Sequence, residues 1–457
     1  MPRLEGVAIP MSHNVGQNAG CDASQNVSDN GADSMRAVRC LYPAGGMARA
    51  EYERLKSLPA LRIFDERICE FLHALSQGIM NDVEARGYAD MLTFGFFIRR
   101  GSVEGLKRGY EEHNAIGRGL SLHIAPSNVA INFAYSLAVG LLAGNACVVR
   151  VSSKPFRQTQ ILCRLLEGLR SKYEVARYIL IVQYPHNMEI TRFLSRGADV
   201  RLIWGGDSTI EALRQAPLPP RGVELCFASR YSVCALDSKA LLRLGQGELE
   251  ALAKGFYNDT YLYDQNACSS PRLVYWLGRE EVSEARERFW RCVWLEARER
   301  YALEPIAAVD KLIAECSVAL NIEGARVENA GVSGRQGDKR QGDKRLEDKG
   351  LGNRGDNLVS RIFIPSLEVG LERYACACGS FIESSGECID ELLRVASKQY
   401  QTLAYFGLDP QMILERVKSL GIAGIDRIVP LGRTSDFALK WDGYDMIRMM
   451  SRVIDVR

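Results

Sequence analysis

The fold of this chain is indicated most clearly by the segment LSLHIAPSNVAINFAYSLAVGLLAGNACVVRVSSK, residues 120–154. It predicts a buried strand, a turn at PSN, an apolar helix and a second buried strand. Residues 129–149 carry no charge, which raises the possibility of a membrane span. Asn132 and Asn145 interrupt that run, and Gly144 stands where a helix would end. We therefore predict a buried helix that turns into a buried strand, and no transmembrane segment.

Alternating helix and strand patterns continue after this segment, and helical patterns precede it. Downstream, the pattern predicts a helix at 155–172, a strand at 178–183, a helix at 188–196 and a strand at 200–204. Strands that alternate with helices favour a parallel sheet covered on both faces, so we predict an α/β fold of dinucleotide-binding type. Upstream, within 59–115, apolar residues at helical spacing predict peripheral helices: Leu61, Ile63, Phe64, Ile68, Phe71, Leu72, Leu75 and Ile79.

Composition excludes several classes of protein. The 457 residues carry 58 basic and 56 acidic side chains, a formal charge of +2, so no global field recruits nucleic acid or an anionic membrane. A small or uncharged polar ligand is the better expectation. The 13 cysteines are odd in number and irregularly spaced, which is unlike a disulfide framework. We therefore expect a reducing cytoplasm.

Changes in texture suggest four regions. Residues 1–36 are polar, lack the apolar core of a secretory signal and are expected to be a disordered tail. Residues 37–246 are predicted to form N-terminal helices and a cofactor-binding domain, and 247–430 a catalytic domain. Within the latter, 330–357 is almost without apolar residues and is expected to be a disordered insertion without assigned function. Residues 431–457 are apolar enough to pack back on the core.

The common sequence fingerprints of catalysis are missing. No G-x-G-x-x-G follows a strand into a helix, and no phosphate-binding G-x-x-x-x-G-K-[ST] loop occurs. The five histidines lie far apart and the nearest cysteine pair is C-A-C, so no metal site is predicted. A serine nucleophile of the G-x-S-x-G type is also absent, which leaves cysteine as the best candidate nucleophile.

Three segments combine small, amide and turn-forming residues, and each has an ordinary structural alternative. In HIAPSN (123–128) a strand ends and a helix begins, which a simple N-cap would also explain. In WGGDSTI (204–210) two glycines precede a helix, as at a phosphate site or an ordinary strand-to-helix turn. In DQNACSSP (264–271) Cys268 stands among amides and hydroxyls, although most cysteines are small buried hydrophobes.

In combination these segments carry a resemblance. The segment from HIAPSN to VVRVSSK, RLIWGGDSTI, YNDTYLYDQNACSSP, and GIDRIVPLG with WDGYD occur in this order. Together they resemble the long-chain acyl-CoA reductase family of bacterial luminescence (LuxC-like), a branch of the aldehyde dehydrogenase superfamily. The resemblance runs from about residue 59 to 457, apart from the polar insertion. It implies an aldehyde-dehydrogenase-like α/β fold, with a Rossmann-type cofactor domain and an α/β catalytic domain.

The resemblance also implies roles for individual residues. Cys268 is expected to take the acyl group as a thioester, and Asn128 to donate its side-chain amide to the substrate oxyanion. The remaining positions are expected to border the cofactor: Pro126, Ser127, Arg150, Ser152, Ser153, Gly205, Gly206 and Ser208. Among these, Arg150 and the serines after it correspond to the adenosine-ribose contact, and the glycines with Ser208 to the pyrophosphate turn. Ser153 replaces the acidic residue of the superfamily motif, so NADPH is expected rather than NADH.

The implied activity is NADPH-dependent reduction of a long-chain fatty acyl-CoA to a fatty aldehyde and free CoA. Two alternatives stay open: NAD(P)-dependent oxidation of an aldehyde, and a non-catalytic subunit of an acyl-transfer complex. The first depends on Glu224, in VELCFASRYS, which only uncertainly corresponds to the water-activating glutamate of ordinary aldehyde dehydrogenases. The resemblance further implies homo-oligomers and an acyl-protein synthetase as a possible partner.

Overall fold

The computed structural model describes residues 35–110, 114–329, 357–374 and 376–457. The predicted disordered tail (1–36) and insertion (330–357) therefore lie outside the described residues, except where their ends meet them. Described residues form two parallel-rich sheets with helices on their faces, and the predicted α/β class is confirmed.

Helices and strands alternate along most of the chain. The α-helices are Ala48–Lys56, Glu66–Asn81, Ala89–Phe97, Arg100–Lys107, Asn132–Leu142, Arg157–Leu169, Met188–Arg196, Asp207–Arg214, Ser238–Leu242, Gln246–Thr260, Val282–Arg300, Pro305–Asn321, Ile389–Val395, Pro410–Leu420 and Met446–Met450. The strands are β1 (Arg39–Tyr42), β2 (Ala115–Gly117), β3 (Leu120–Ile124), β4 (Ala146–Val151), β5 (Ile179–Gln183), β6 (Val200–Trp204), β7 (Val223–Phe227), β8 (Tyr231–Asp237), β9 (Pro271–Leu277), β10 (Arg326–Asn329), β11 (Ser360–Phe363), β12 (Ser380–Gly386), β13 (Tyr400–Phe406), β14 (Arg427–Pro430), β15 (Lys440–Trp441), β16 (Tyr444–Asp445) and β17 (Ser451–Val453).

The first sheet has the strand order β1-β5-β4-β3-β6-β7. Its strands run parallel except β1, which pairs antiparallel with β5 at the edge. The uncharged run at 129–149 forms the buried helix Asn132–Leu142 and the start of β4, as predicted. Across the described residues, no helix combines the length and apolarity that a membrane crossing needs.

The helix prediction upstream of this sheet needs one correction. Leu61, Ile63 and Phe64 precede the first long helix, which begins only at Glu66. Phe64 has a φ of 50°, and the Asp65 side chain caps the helix by accepting from the backbone N–H of Arg67. The apolar spacing extended past the helix because these side chains also contact the core, but a capping aspartate sets where the helix starts.

The second sheet has the order β10-β11-β12-β9-β8-β13-β14 and is parallel apart from the β10–β11 pair. The chain passes from the first sheet to the second between Phe227 and Tyr231, earlier than the boundary at 246 that the sequence suggested. Parallel strands end at the same edge of a sheet, where loops commonly form ligand sites. The carboxyl ends of the first sheet face the loop that carries Cys268, which precedes β9 and so lies at the amino edge of the second sheet.

The C-terminal segment packs against the first sheet's core. Trp441, Met446, Ile447 and Met450 are buried among the hydrophobic residues of that core. The buried Asn145 side chain donates from Nδ2 to the carbonyl oxygen of Met450 at 3.0 Å. Residues 431–457 therefore pack back on the core, and they bring Trp441 and Asp442 to the region between the sheets.

Candidate active site

One cavity of about 880 Å³ collects almost all of the residues singled out from the sequence. Its lining includes Cys268, Asn128, Pro126, Ser127, Arg150, Ser152, Ser153, Gly205 and Gly206. Ser208 does not line it and lies exposed in the first turn of the helix Asp207–Arg214. Residues separated by more than a hundred positions thus border a common space, because the carboxyl ends of first-sheet strands meet the amino ends of second-sheet strands there.

Hydrogen bonds hold the loop that carries Cys268, between the helix Gln246–Thr260 and β9, at the wall of this cavity. Gln265 is buried and donates from Nε2 to the carbonyl oxygens of Pro271 (2.9 Å) and Ser380 (3.0 Å). The Ser232 hydroxyl donates to the carbonyl oxygen of Cys268 at 2.7 Å. These bonds tie both ends of the loop to the second sheet, so the partly exposed sulfur of Cys268 faces the cavity from a fixed backbone.

Polar groups surround the sulfur. Nε2 of Gln401 donates to Sγ of Cys268 at 3.3 Å. Burial is the largest influence and raises the pKa of the Cys268 thiol, and the negative charge of Asp442 raises it further. Gln401, the Arg427 cation and the Trp441 indole act in the opposite direction. The resting sulfur is therefore protonated at neutral pH, with thiolate-favouring groups beside it.

Asn128 reaches the same loop from the first sheet. Its Nδ2 donates to the carbonyl oxygen of Asn266, two residues before Cys268, at 3.2 Å. The residue is exposed at the cavity wall, where a bound carbonyl oxygen could compete for this amide. The loop and the turn at PSN are thus in direct contact.

Arg150 lines the same cavity from the carboxyl end of β4. One of its terminal nitrogens donates to the Tyr184 carbonyl oxygen at 3.2 Å, and the guanidinium lies 5.4 Å from the Tyr184 ring centroid. The Nε of Arg150 is buried and has no hydrogen-bond partner, which is unusual for a cation. Burial lowers the pKa of Arg150. An anionic group here would satisfy both the charge and the unpaired donor.

Gly205 and Gly206 occupy the turn between β6 and the helix Asp207–Arg214. The Gly205 backbone N–H donates to the Phe227 carbonyl oxygen at 3.2 Å, while Gly206 is the N-cap. The Asp207 carboxylate accepts from the backbone N–H of Ser229 at 3.0 Å, which keeps the acid engaged with a neighbouring loop. The positive end of a helix, approached through glycines, suits a phosphate group.

Glu224 does not face Cys268. It lies on β7 with its carboxylate hydrogen-bonded to Arg201 and, at 2.7 Å, to Nε of Arg214. Burial raises the pKa of Glu224, but the bonds from Arg214 and Arg201 outweigh burial and hold it below the ordinary value. Glu224 also does not line the cavity. Its carboxylate is an ion-pair partner rather than a base for water.

His123, in the segment HIAPSN, has a structural role. His123 is fully buried on β3, with hydrogen bonds to the hydroxyls of Ser121 and Ser136. Burial lowers the pKa of His123 to about 3, so its ring is neutral in the core.

Within the described part of the chain, no group of His, Cys, Asp or Glu side chains is arranged to hold a metal ion.

The sequence analysis missed Gln401, Arg427 and the side chains of the C-terminal hairpin, Trp441 and Asp442. Gln401 is a fully buried amide on β13, and Arg427 lies with its guanidinium 4.1 Å from the ring centroid of Trp441. A signal was present, since a glutamine within the apolar strand YQTLAYF is costly to bury without a purpose. Its partners come from segments far away in sequence, which no local pattern reveals.

The chain is similar to several known proteins. Residues 96–303 match the family model described as acyl-CoA reductase (LuxC). The chain is 27% identical over 179 residues to the long-chain acyl-protein thioester reductase of Aliivibrio fischeri, covering 38% of this chain and 35% of that protein. It is 29% identical over 179 residues to the Vibrio harveyi protein of the same name, again covering 38% and 35%. The match thus spans about a third of the length of these relatives.

Solved structures extend the comparison to the whole fold. The lactaldehyde dehydrogenase of Escherichia coli superposes with a TM-score of 0.57 at 13% identity, covering 94% of this chain and 90% of that chain. An NADP-dependent glyceraldehyde-3-phosphate dehydrogenase from Bacillus halodurans gives 0.53 at 14% identity, covering 89% and 88%. The resemblance to the LuxC family is therefore confirmed over residues 96–303, on a fold shared with the aldehyde dehydrogenases.

Proposed function

We propose that this protein reduces a long-chain fatty acyl thioester to the fatty aldehyde, with acyl-CoA as the substrate and NADPH as the reductant. The observation that carries the proposal is the shared cavity, which is lined by Cys268 and Asn128 and also by Arg150 and the glycine turn. The names of the relatives support an acyl thioester as the substrate class. Aldehyde and free CoA are the expected products.

The reaction begins at the sulfur. The Cys268 thiolate attacks the acyl carbonyl, a carbon–sulfur bond forms to Sγ, and the bond to the CoA sulfur breaks. One thioester replaces another, so this exchange is close to energetically neutral. The cofactor, when bound, supplies a hydride to the acyl carbon. Collapse then breaks the bond to Sγ and releases the aldehyde and the Cys268 thiolate. The proton that the resting thiol gave up leaves with the CoA sulfur as free CoA, and a proton from solvent restores the thiol.

Asn128 has its role while negative charge develops on the carbonyl oxygen. Its amide at the cavity wall is already oriented by the Asn266 carbonyl, 3.2 Å away. A donor positioned before the reaction stabilises an oxyanion without reorganisation at the moment of charge formation. We assign Asn128 to this function.

The geometry also favours reduction over aldehyde oxidation. Oxidation ends in hydrolysis of the acyl-enzyme, which requires a general base to activate water. The candidate for that base, Glu224, is bound by Arg201 and Arg214 outside the cavity. Glu224 is therefore not available to hydrolyse an acyl-Cys268, which favours its reduction. Intact Cys268 and Asn128 in one cavity likewise argue against a non-catalytic subunit.

The cofactor-binding residues fit a dinucleotide with an extra phosphate. Arg150 offers an unpaired buried N–H, and Ser152, Ser153 and Lys154 line the same end of the cavity. The carboxylates of the cavity lining belong to Glu372 and Asp442, neither of which lies on the segment 150–154. A 2'-phosphate would meet a cation and hydroxyls there instead of a carboxylate. We assign the pyrophosphate to Gly205 and Gly206, with Ser208 at the following helix turn.

Partners and compartment complete the proposal. The relatives are named for an acyl-protein substrate, so an acyl-protein synthetase is the proposed in vivo donor. Homo-oligomers are proposed because the small sheet of β2 and β17 ends in the exposed apolar residues Val453, Ile454 and Val456. A cytoplasmic location accords with the free thiols of the described cysteines.

A direct assay tests the activity. Purified protein is mixed with palmitoyl-CoA and NADPH, cofactor absorbance is followed, and the aldehyde is trapped with hydrazine. We expect aldehyde in step with NADPH consumption and none from Cys268→Ala, with an unchanged circular dichroism spectrum. Cys316→Ala, which removes an exposed thiol, is the matched control and should retain activity. Undiminished aldehyde from Cys268→Ala would refute the mechanism.

A further inference from the structure

The sulfur of Cys268 has a hydrogen-bond donor that comes from the second sheet and the C-terminal hairpin rather than from its own loop. Nε2 of Gln401 carries two hydrogens; one is directed to Sγ of Cys268 at 3.3 Å and the other to the Asp442 carboxylate. The Thr402 hydroxyl donates to Oε1 of Gln401 at 3.1 Å. Every polar atom of this fully buried amide therefore has a partner.

These partners determine which way the amide points. A carboxylate accepts hydrogen bonds and cannot donate them, so Asp442 holds the NH₂ group of Gln401 on the side of the sulfur. Asp442 is itself buried and is fixed by Nε of Arg230 at 3.5 Å. Without the carboxylate, the amide could rotate and turn its oxygen lone pairs toward Sγ, which would disfavour a thiolate.

Trp441 carries a second donor group, which lowers the pKa of the Cys268 thiol. Its indole N–H is buried without a hydrogen-bond partner and belongs to a side chain that lines the cavity. The Arg427 guanidinium stacks against the indole, 4.1 Å from the ring centroid, and donates to the Thr434 carbonyl oxygen at 3.0 Å. Asp442 and Arg427 are the charged groups that act on the sulfur, one of each sign.

Taking Cys268 as the acyl-carrying nucleophile of the proposed function, we propose that Gln401 and Trp441 form a donor cradle for its thiolate, and that Asp442 is the positioning residue that orients Gln401. The cradle acts twice in a turnover. It favours the thiolate that attacks the acyl group, and it stabilises the same thiolate when the aldehyde leaves. Burial opposes both steps, so donors at the sulfur compensate for the water that the site excludes.

The test measures the thiol itself, in the full chain without acyl-CoA or NADPH. The rate of iodoacetamide alkylation of the Cys268 peptide is followed by mass spectrometry across pH, with the exposed Cys316 and Cys388 as internal references. Gln401→Met keeps the side-chain length and removes the donors. In this variant we expect the pH at which the alkylation rate of Cys268 is half-maximal to rise by about one unit. This is the effect of losing one hydrogen bond to a charged group. Trp441→Phe should raise this pH by less.

A double-mutant cycle isolates Asp442. Asp442→Asn removes a negative charge, which alone lowers the thiol pKa, so its single effect is not diagnostic. If Asp442 orients Gln401, adding Gln401→Met to Asp442→Asn should shift the profile by less than half of its shift in the wild-type background. Asp426→Asn is the matched control, since Asp426 also binds Arg230, at 2.7 Å, but does not contact Gln401.

The donor cradle, the positioning role of Asp442 and the proposed function are each contradicted by a different outcome. An unchanged Cys268 profile in Gln401→Met, with native circular dichroism, would overturn the cradle even if the wild type makes aldehyde. Equal Gln401→Met shifts with and without Asp442 would overturn the positioning role. Absence of aldehyde from the wild type would instead reject the proposed function, since the alkylation profile is obtained without turnover.

Discussion

The two ends of the active-site cavity are built in different ways. At the end proposed to bind the cofactor's adenosine (the adenosine end), Arg150 stands near the end of β4, Ser152 and Ser153 directly follow that strand, and Gly205 with Gly206 follows β6 in the same sheet. At the sulfur end, Asn128 from the first sheet contacts the loop that carries Cys268, Gln401 from β13 contacts its sulfur, and Trp441 with Asp442 comes from the C-terminal hairpin of β15 and β16. The first end is made of short contiguous motifs, whereas the second is made of single residues from distant segments.

The difference reflects what each end must do. Binding a phosphate requires backbone N–H groups and a cation at a strand end, which neighbouring residues supply wherever a parallel strand stops. Controlling a thiolate requires donors and charges on several sides of one atom, and one segment of chain cannot surround an atom. The contrast predicts steep losses of turnover at the sulfur end and changes in cofactor affinity at the adenosine end.

The largest effect is expected at Asn128. Asn128→Ala removes the proposed oxyanion donor, so kcat should fall by about 10²- to 10³-fold, the usual cost of such a donor. KM for acyl-CoA should change little, because the ground-state carbonyl needs this bond less. Steady-state kinetics of aldehyde formation measure both values. Asn132→Ala, a neighbour that lines the same cavity, is the comparison, and an equal loss in both variants would argue against a specific role for Asn128.

An intermediate effect is expected at Arg150. Arg150→Gln keeps hydrogen-bonding capacity and removes the charge, so KM for NADPH should rise by roughly tenfold to a hundredfold. KM for NADH and kcat should stay near wild-type values, which would reduce the preference for NADPH. Arg164→Gln is the control, since Arg164 binds Asp82 on the surface at 2.8 Å. Equal weakening of NADH and NADPH binding would contradict a contact to the extra phosphate.

The smallest effect on turnover is expected at Glu224. Glu224→Gln should change aldehyde formation less than about twofold and yield no shift toward carboxylic acid, because Glu224 is not the water-activating base. If the wild type formed markedly more carboxylic acid per aldehyde than Glu224→Gln, Glu224 would be the water-activating base after all.

Glu224 should matter instead for stability. Its ion pairs with Arg201 and Arg214 hold its pKa below the ordinary value despite burial, so it stabilises the folded state above that value. The contribution is lost as pH falls below about 4.5 toward the depressed folded pKa. The free energy of unfolding of Glu224→Gln should therefore lie below wild type at pH 7 by roughly 1–3 kcal/mol, and the gap should narrow in acid. Urea denaturation at pH 7 and pH 4 measures this gap, and a constant gap would exclude the ion pair as its cause.

Some features were predictable because they depend on neighbours in the chain. The helix Met188–Arg196 and strand β6 have the predicted bounds, since apolar periodicity and end signals are local. The start of the helix at Glu66 was not predicted, because Phe64 contacts the core from a turn and resembles a helical position in pattern. Likewise, the sequence left open whether Glu224 activates water. Its ion pairs with Arg201 and Arg214 are visible only in the structure.

The sequence pattern by itself predicted the α/β class, since strand, turn and helix propensities act over a few residues. The resemblance carried by the ordered motifs then implied the roles of Cys268, Asn128 and the glycine turn. Tertiary structure alone decided which side chains act on the sulfur. Hydrogen bonds and charges act over a few ångströms regardless of separation along the chain, so Gln401 and Asp442 became part of the site only when the second sheet and the C-terminal segment packed against the first.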